Sequence, residues 1–476
     1  MATYRAVEQI QQDASTKLKV VIVGAGLGGL GAAIAILLAG HEVTVLESAS
    51  KIGEIGAGIQ VLPNSSRVLF AWGLKDCLEP YATHPRQCNY YGWKGNRLAT
   101  MDFHAYGQAA NGVFWDFHRV NLHRALIDRA FELGAHLETN ARATKVTTEE
   151  KGGFSTSTVH LQDGRSFTGD LVIGADGINS QMREELVGHE DPPTPTGDLA
   201  YRLLLDTKDM MADPELREMV DNPQVNYWLG PDAHAVNYIL RGGKQLNMVL
   251  LVPDNLPPGE HATTGTGTSD EMRALYEGWD PRINKLLSLC TSSEVLKWRL
   301  CIRPGLDPTW THPSASFTLT GDAVHATLPY LASGAGMALE DAGVLGLCLA
   351  RIKDKSIQSK KLALDVYEAC RRVRTEKVVQ RGTYNQYMYH MQDGPDQIER
   401  DQKLAHFEEV DKKWISDAEA AGTAPVLPIS DETGEDPFPW RYNGVARWLL
   451  TYDMWKDVEV TWASLDVQAQ AIQASL

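Results

Sequence analysis

Val20 to Glu47 reads VVIVGAGLGGLGAAIAILLAGHEVTVLE, and this stretch decides the fold. Val20, Val21, Ile22 and Val23 are β-branched and predict a buried strand. Gly24, Gly26 and Gly29 follow in G-x-G-x-x-G register. An alanine-rich helix then runs to Gly40, read as its C-terminal stop, and Val43 to Leu46 predicts the next strand. In such a turn the first glycine permits the tight bend. The second lets backbone approach a pyrophosphate, and the third lets helix and strand pack closely. Glu47 stands 23 positions after Gly24, near the ~20 expected of an acid that grips a ribose hydroxyl. Strand, turn, helix, strand and acid together predict a bound dinucleotide. The acid favours FAD or NAD over NADP and does not choose between the first two.

The chain has 476 residues, enough for two or three domains, and 43% hydrophobic with 22% charged residues is ordinary for a soluble protein. A formal charge of −16 argues against a phosphate-tracking nucleic-acid role. Six scattered cysteines without C-x-x-C spacing argue against zinc and against a secreted disulfide framework, so no metal site is expected. The first seventeen residues lack an apolar core for a secretory signal, and Leu27 to Ala39 is too short to span a membrane. The final Ala-Ser-Leu lacks the basic residue of a peroxisomal tripeptide. The expectation is a soluble, cytoplasmic protein.

Working outward, Ile52 to Gln60 is glycine-rich and predicts a loop whose backbone approaches a flat or charged group, with Gly58 in contact. Pro63 to Leu74 reads as a helix. Tyr90 to Trp93 and Arg97 to Phe103 read as paired strands, and Asn121 to Leu133 as a helix with Asn121 as N-cap. Arg119, just before it, is placed to meet a phosphate or to form a surface salt bridge. A hairpin is expected at 159–167. Leu171 to Ile173 reads as a buried strand, followed by Asp176-Gly177 with Ser180 and Arg183. The prolines at 192, 193 and 195 predict a domain boundary that breaks helix and strand. Strands are then expected at 200–205, 225–229, 235–240 and 246–252, with 256–270 a mobile polar excursion. Ser316 to Thr320 returns to the earlier pattern, followed by Gly321-Asp322 and a helix opening near Gly334 to Met337. A long helix at about 362–391 carries Arg371, Arg372 and Arg374, read as a solvated face. Residues 421–440 read as a linker, and the Trp-rich tail from Trp440 is expected to dock on the surface.

The first glycine turn with Glu47, then Asp176-Gly177 with Arg183, then Gly321-Asp322 with the Gly334–Met337 turn resemble, in this order, the class A (single-component) FAD-dependent aromatic monooxygenases. The resemblance spans residues 18–390. The wording at Glu54 to Gln60, His118 to Arg124 and Gly321 to Tyr330 is similar to the salicylate hydroxylase branch, which includes fungal members. It implies an α/β fold: a Rossmann-like FAD-binding domain of the para-hydroxybenzoate hydroxylase type, a second antiparallel β-sheet substrate domain, and C-terminal helices. The expected divisions are 18–190 (FAD-binding, first part), 198–312 (substrate), 313–350 (FAD-binding, return) and 351–476 (helices and tail).

The resemblance also implies FAD, with Gly24, Gly26, Gly29 and Glu47 on its ADP half. It puts Arg119 near phosphates or ribose, Asp322 on the ribityl chain, and backbone around Gly336 and Met337 at the pyrimidine edge. Asp176, Gly177, Arg183 and Gly321 belong to its cofactor segments. It implies NADH or NADPH as co-substrate, bound without a second Rossmann domain. It implies O2 as the other reactant, with a flavin C4a-hydroperoxide that hydroxylates a small aromatic substrate. Arg202, Tyr238 and His325 are the candidate substrate and catalytic residues: a guanidinium and a phenol facing one pocket hold and polarise a phenolate. A flavin oxidase or reductase without oxygen transfer, and a catalytically idle flavin-binding protein, stay open at this point, as does the oligomeric state.

Overall fold

The computed structural model describes residues 16–51, 57–257, 264–427 and 435–475. Residues 52–56 of the second glycine-rich stretch, 258–263 of the polar excursion and 428–434 of the linker lie outside them. The first layer is a five-stranded parallel sheet in the order Phe317–Leu319, Leu171–Gly174, Lys19–Val23, Glu42–Leu46, His136–Glu138. Its central strands are apolar along nearly their whole length because both faces are covered. The Leu27–Leu38 helix crosses from the first strand to the next, capped beyond Ala39 by Gly40 in the left-handed region (φ 91°).

Small residues set the depth of this layer. The Leu27–Leu38 helix packs against the Gly334–Leu349 helix, which arrives from the far end of the chain. A Cβ on Gly346 would lie 2.7 Å from the Ala35 Cβ, and one on Gly31 would stand 3.2–3.3 Å from Trp72, Ala342 and Leu339. Backbones therefore approach where ordinary side chains would hold them apart.

The second layer is an eight-stranded sheet in the order Thr264–Thr268, Glu294–Ile302, Thr194–Asp206, Gln245–Pro253, Ala233–Leu240, Val225–Gly230, Gln87–Gly92, Arg97–Asp102. Every neighbouring pair is antiparallel except Val225–Gly230 with Gln87–Gly92. Period-two alternation separates its faces. Leu199, Tyr201, Trp228, Ile239 and Leu250 point into a core covered by the helices Pro214–Asp221, Ser269–Ala274 and Pro281–Ser288. The opposite face looks back toward the first layer.

Five sequence expectations change here. Residues 87–102, counted with the first FAD-binding stretch, supply two strands of the large sheet. Pro195 lies inside the Thr194–Asp206 strand, where the ladder shifts register between Pro195 and Leu199, a bulge that tolerates a missing donor. The polar excursion contains the Thr264–Thr268 edge strand. The N-cap of the Arg119–Glu132 helix is His118, and Asn121 falls in its first turn. The tail is no surface appendage either: Phe438 and Trp440 are fully buried with Tyr90 and Tyr227 in one aromatic core. Among the described residues no helix is long and apolar enough to cross a membrane.

Gly29 and Gly26 separate two effects. A Cβ on Gly29 would fall 2.0 Å from the Gly24 carbonyl oxygen, whereas one on Gly26 meets nothing within 4 Å. Gly29→Ala is expected to lose ~1–3 kcal/mol, an overpacking cost. Gly26→Ala is expected to stay within ~0.5 kcal/mol. Denaturant unfolding of the two variants checks this.

Candidate active site

Between the layers runs a cavity of about 380 Å³. One end is made by the glycine turn. Gly24 has φ 108°, and a Cβ there would strike the Ala175 carbonyl at 2.4 Å. The next residue is held at both of its backbone groups: the Ala25 N–H donates to Glu47 Oε2 (3.0 Å), and its carbonyl bonds His123 Nε2 at 2.7 Å. Gly26 and Gly28 line the cavity, with Gly177 (φ 80°) across from them. Glu47 does not line the cavity; it shapes the turn that does, its other oxygen accepting from the Ala49 N–H (2.8 Å).

Two further candidates brace the site without lining it. Asp176 accepts from Ser180 Oγ (2.5 Å) and the Met182 N–H (3.0 Å), fixing the start of the Gln181–Val187 helix. Arg183 pairs with Asp191 (2.6 Å) and donates to the carbonyls of Gly305 and Val324 (2.8 and 3.0 Å).

The middle of the cavity is bounded by Arg119, Gly321 and Asp322. Asp322 is accessible from the cavity rather than from the outer surface. Its enclosure raises the carboxyl above the ordinary value, against the charges of His325 and Arg119. Farther along, the Gly334–Leu349 helix begins. Its first N–H groups lack intrahelical partners, and the helix dipole makes this end positive. Gly334, Ala335 and Ala338 line the cavity. Gly336 and Met337 themselves do not line it: the Met337 N–H donates to Ser333 O (2.8 Å), and Gly336 packs against Ser65.

The far wall is the open face of the large sheet. Arg202 stands opposite Val249, which stands opposite Val236. Tyr238 is two residues beyond Val236, so Arg202 and Tyr238 share one face and both line the cavity. The Arg202 guanidinium lies over the Trp298 ring, 4.7 Å from its centroid. The Tyr238 ring presses on Gly58, where a Cβ would sit 2.6 Å from its hydroxyl, and the Gly58 N–H donates to Asn247 Oδ1 (2.8 Å). Burial, then the Asp116 charge, pushes the Tyr238 phenol up, and Arg202 opposes them.

His325 is not brought to this cavity. It is buried with Nε2 2.6 Å from Asp341 Oδ2. Asp341 also receives Arg371 Nε (2.7 Å), while Glu340 receives Arg371 (2.7 Å) and Arg374 (2.8 Å). Arg371 and Arg374 are therefore buried ion partners, and the reading of these two as a solvated face is overturned.

Sequence reasoning missed His234. It lines the cavity on the strand of Val236 and Tyr238, and i, i+2, i+4 spacing was the available signal. Behind it, His234 Nδ1 and His390 Nε2 are 2.7 Å apart. His390 Nδ1 is 3.6 Å from Asp198 Oδ2, which accepts from the Tyr330 hydroxyl (2.5 Å). Burial and mutual repulsion hold His234 well below its usual value, and burial brings His390 to about 4.

The cavity fits FAD. A long channel begins at side-chain-free backbone and passes a helix N-terminus suited to anionic charge. Thr327 Oγ1 in the cavity wall and Asn247 Nδ2 beside Gly58 have no hydrogen-bond partner among the described residues.

The chain matches the family model described as an FAD binding domain over residues 17–275. It is 38% identical over 431 residues to the FAD-dependent monooxygenase OpS4 of Beauveria bassiana, covering 90% of this chain and 95% of that protein. It is 32% identical to the 3-hydroxybenzoate 6-hydroxylase of Polaromonas naphthalenivorans, covering 80% and 90%. A salicylate hydroxylase substrate complex shares the fold at TM-score 0.70 and 21% identity, covering 94% of this chain and 98% of that one.

The histidine pair makes stability pH-dependent with a definite sign. Both rings lie below the ordinary 6.5, so the folded chain binds fewer protons than the unfolded one in acid. The pair's contribution is complete above about 6.5 and is lost as pH falls toward about 4. His390→Gln is expected to flatten the melting temperature against pH in that window, read by calorimetry.

Proposed function

We infer that this chain, which belongs to the FAD-dependent monooxygenases of the FAD binding domain family, uses NAD(P)H and O2 to hydroxylate a small phenolic or aromatic-acid substrate. One observation carries the substrate class. The cavity leads from a backbone-lined end suited to the cofactor to a sheet wall where Arg202, Tyr238 and His234 converge among apolar side chains.

Gly26, Gly28, Gly177 and Arg119 would hold the ADP half of FAD, with Glu47 fixing the turn. Asp322 and the first N–H groups of the Gly334–Leu349 helix would hold the flavin half. The chemistry FAD supplies when bound is hydride acceptance from NAD(P)H and activation of dioxygen. Residues 18–190 and 313–350 form the cofactor part in this reading, and 198–312 the substrate part, joined by the strands at 87–102.

This chain's side chains prepare the ring. The Arg202 guanidinium, held flat by Trp298, draws an anionic oxygen of the substrate. The Tyr238 hydroxyl donates to the same oxygen, which Gly58 allows by leaving room for the ring. His234, kept neutral by burial and backed by His390, presents an uncharged ring to the substrate, while the Arg202 charge favours the phenolate over the phenol. The phenolate is the electron-rich form that electrophilic oxygenation requires. Val236, Val249 and Leu251 exclude water from the ring's flanks.

Purified protein is expected to be yellow. A matching phenol or aromatic acid is expected to stimulate NAD(P)H oxidation and give a product heavier by one oxygen atom. Arg202→Met and Tyr238→Phe are each expected to cut kcat/KM by about 10- to 100-fold, the range for losing a hydrogen bond to a charged group. Peroxide as the sole product across a broad aromatic panel would refute the reading.

A further inference from the structure

The C-terminal segment is tied to the cofactor turn by a continuous run of buried charge. At the cavity, Gly321 adopts a left-handed φ of 63°. Its N–H donates to Asp341 Oδ2 (3.1 Å), the same oxygen that bonds His325 (2.6 Å). One carboxylate thus holds both ends of the short Asp322–His325 helix, whose first residue faces the cavity. Burial pushes the Asp341 carboxyl up, but His325 and Arg371 override it and hold it well below the usual range.

Arg371 holds Asp341 in turn. Its Nε donates to Asp341 and its Nη2 to Glu340, both at 2.7 Å. Its Nη1 has no hydrogen-bond partner among the described residues; instead the guanidinium lies over the Tyr452 ring, 5.0 Å from the centroid. Arg374 lies over the same ring at 4.2 Å and donates to the carbonyls of Trp448 and Leu449 (2.8 and 2.9 Å). Arg67 holds the Leu450 and Tyr452 carbonyls at 2.9 and 2.8 Å. Just beyond, Met454 packs on Gly343, where a Cβ would stand 2.4 Å from its sulfur.

We propose that Tyr452 and Arg371 are positioning residues for FAD: the tail segment 446–454 sets Arg371, Arg371 sets Asp341, and Asp341 fixes the Gly321–Asp322 turn against the cofactor. The ring of Tyr452 replaces water over a guanidinium that has no acceptor on that side. Without the ring, solvent reaches Arg371 and the charge run loosens at its outer end. The tail then governs cofactor retention with no atom of its own in the cavity.

The test reads FAD release when holoenzyme is diluted, followed by the rise of flavin fluorescence. Thermal unfolding of the FAD-free protein is measured beside it. Tyr452→Leu is expected to raise the FAD dissociation constant by about 3- to 30-fold, the range of such couplings. Tyr452→Phe, which keeps the ring, is expected to restore wild-type binding. Lys360→Met supplies the control, because Lys360 lies on the same Ile357–Tyr389 helix as Arg371 but braces the Ser155 and Asp170 carbonyls (both 2.7 Å). It is expected to lower the melting temperature and leave FAD affinity unchanged. Unchanged FAD affinity in Tyr452→Leu would overturn the proposal. So would an equal loss of affinity in Lys360→Met, because general destabilisation would then explain both. Neither readout depends on the substrate, so the proposal stands or falls separately from aromatic hydroxylation.

Discussion

The closeness of two helices underlies the rest of the structure. Leu27–Leu38 and Gly334–Leu349 meet backbone to backbone because Gly31, Gly346 and Ala35 present nothing larger than a methyl group. That approach carries Gly321-Asp322 and the start of the second helix to the glycine turn. Segments some three hundred positions apart thereby share one cavity. Dispersion falls steeply with separation, so a single added methyl at such a seam is felt throughout.

Close packing alone would let the second helix slide along the first. Buried ions oppose this. Glu340 and Asp341, fully buried on the Gly334–Leu349 helix, are met by Arg371, Arg374 and His325 in specific pairings. Desolvation cancels much of the attraction in such clusters, so their net contribution to stability is small. Their contribution to geometry is larger, since leaving one partner unpaired costs ~3–5 kcal/mol and alternative registers do that.

The sequence showed what local chemistry dictates. The β-branched run at 20–23, the glycine turn and the strand at 171–174 needed no distant partner to be recognised. The β-rich run at 200–205 was legible as a strand. Distant partnerships were not legible. Gln87–Gly92 lies parallel to Val225–Gly230, and nothing local in either announces the other. Arg371, Arg372 and Arg374 form a charge run that on composition belongs in water. Only the carboxylates delivered by another helix bury Arg371 and Arg374, while Arg372 stays nearer the surface with Glu368. His325 follows a cavity-lining aspartate in sequence, yet the Asp322–His325 turn carries its ring to Asp341 and away from the cavity. His234 was readable by alternation, but its partner His390 was not, because the long helix brings it there from 156 positions away.

The two ends of the cavity are built by different means, and this divides their roles. The glycine-turn end is largely backbone: Gly26, Gly28, Gly177 and helix N–H groups present fixed dipoles that cannot titrate or change rotamer. The sheet end is side chains, with Arg202 held by Trp298 and Tyr238 by the space at Gly58. Substitutions at the backbone end act through strain and close approach. Those at the sheet end change charge, hydrogen bonding and shape directly. In the proposed reading, selectivity among aromatic rings resides on the face of Arg202, His234 and Tyr238, which line the cavity, while the glycine turn is silent about the substrate.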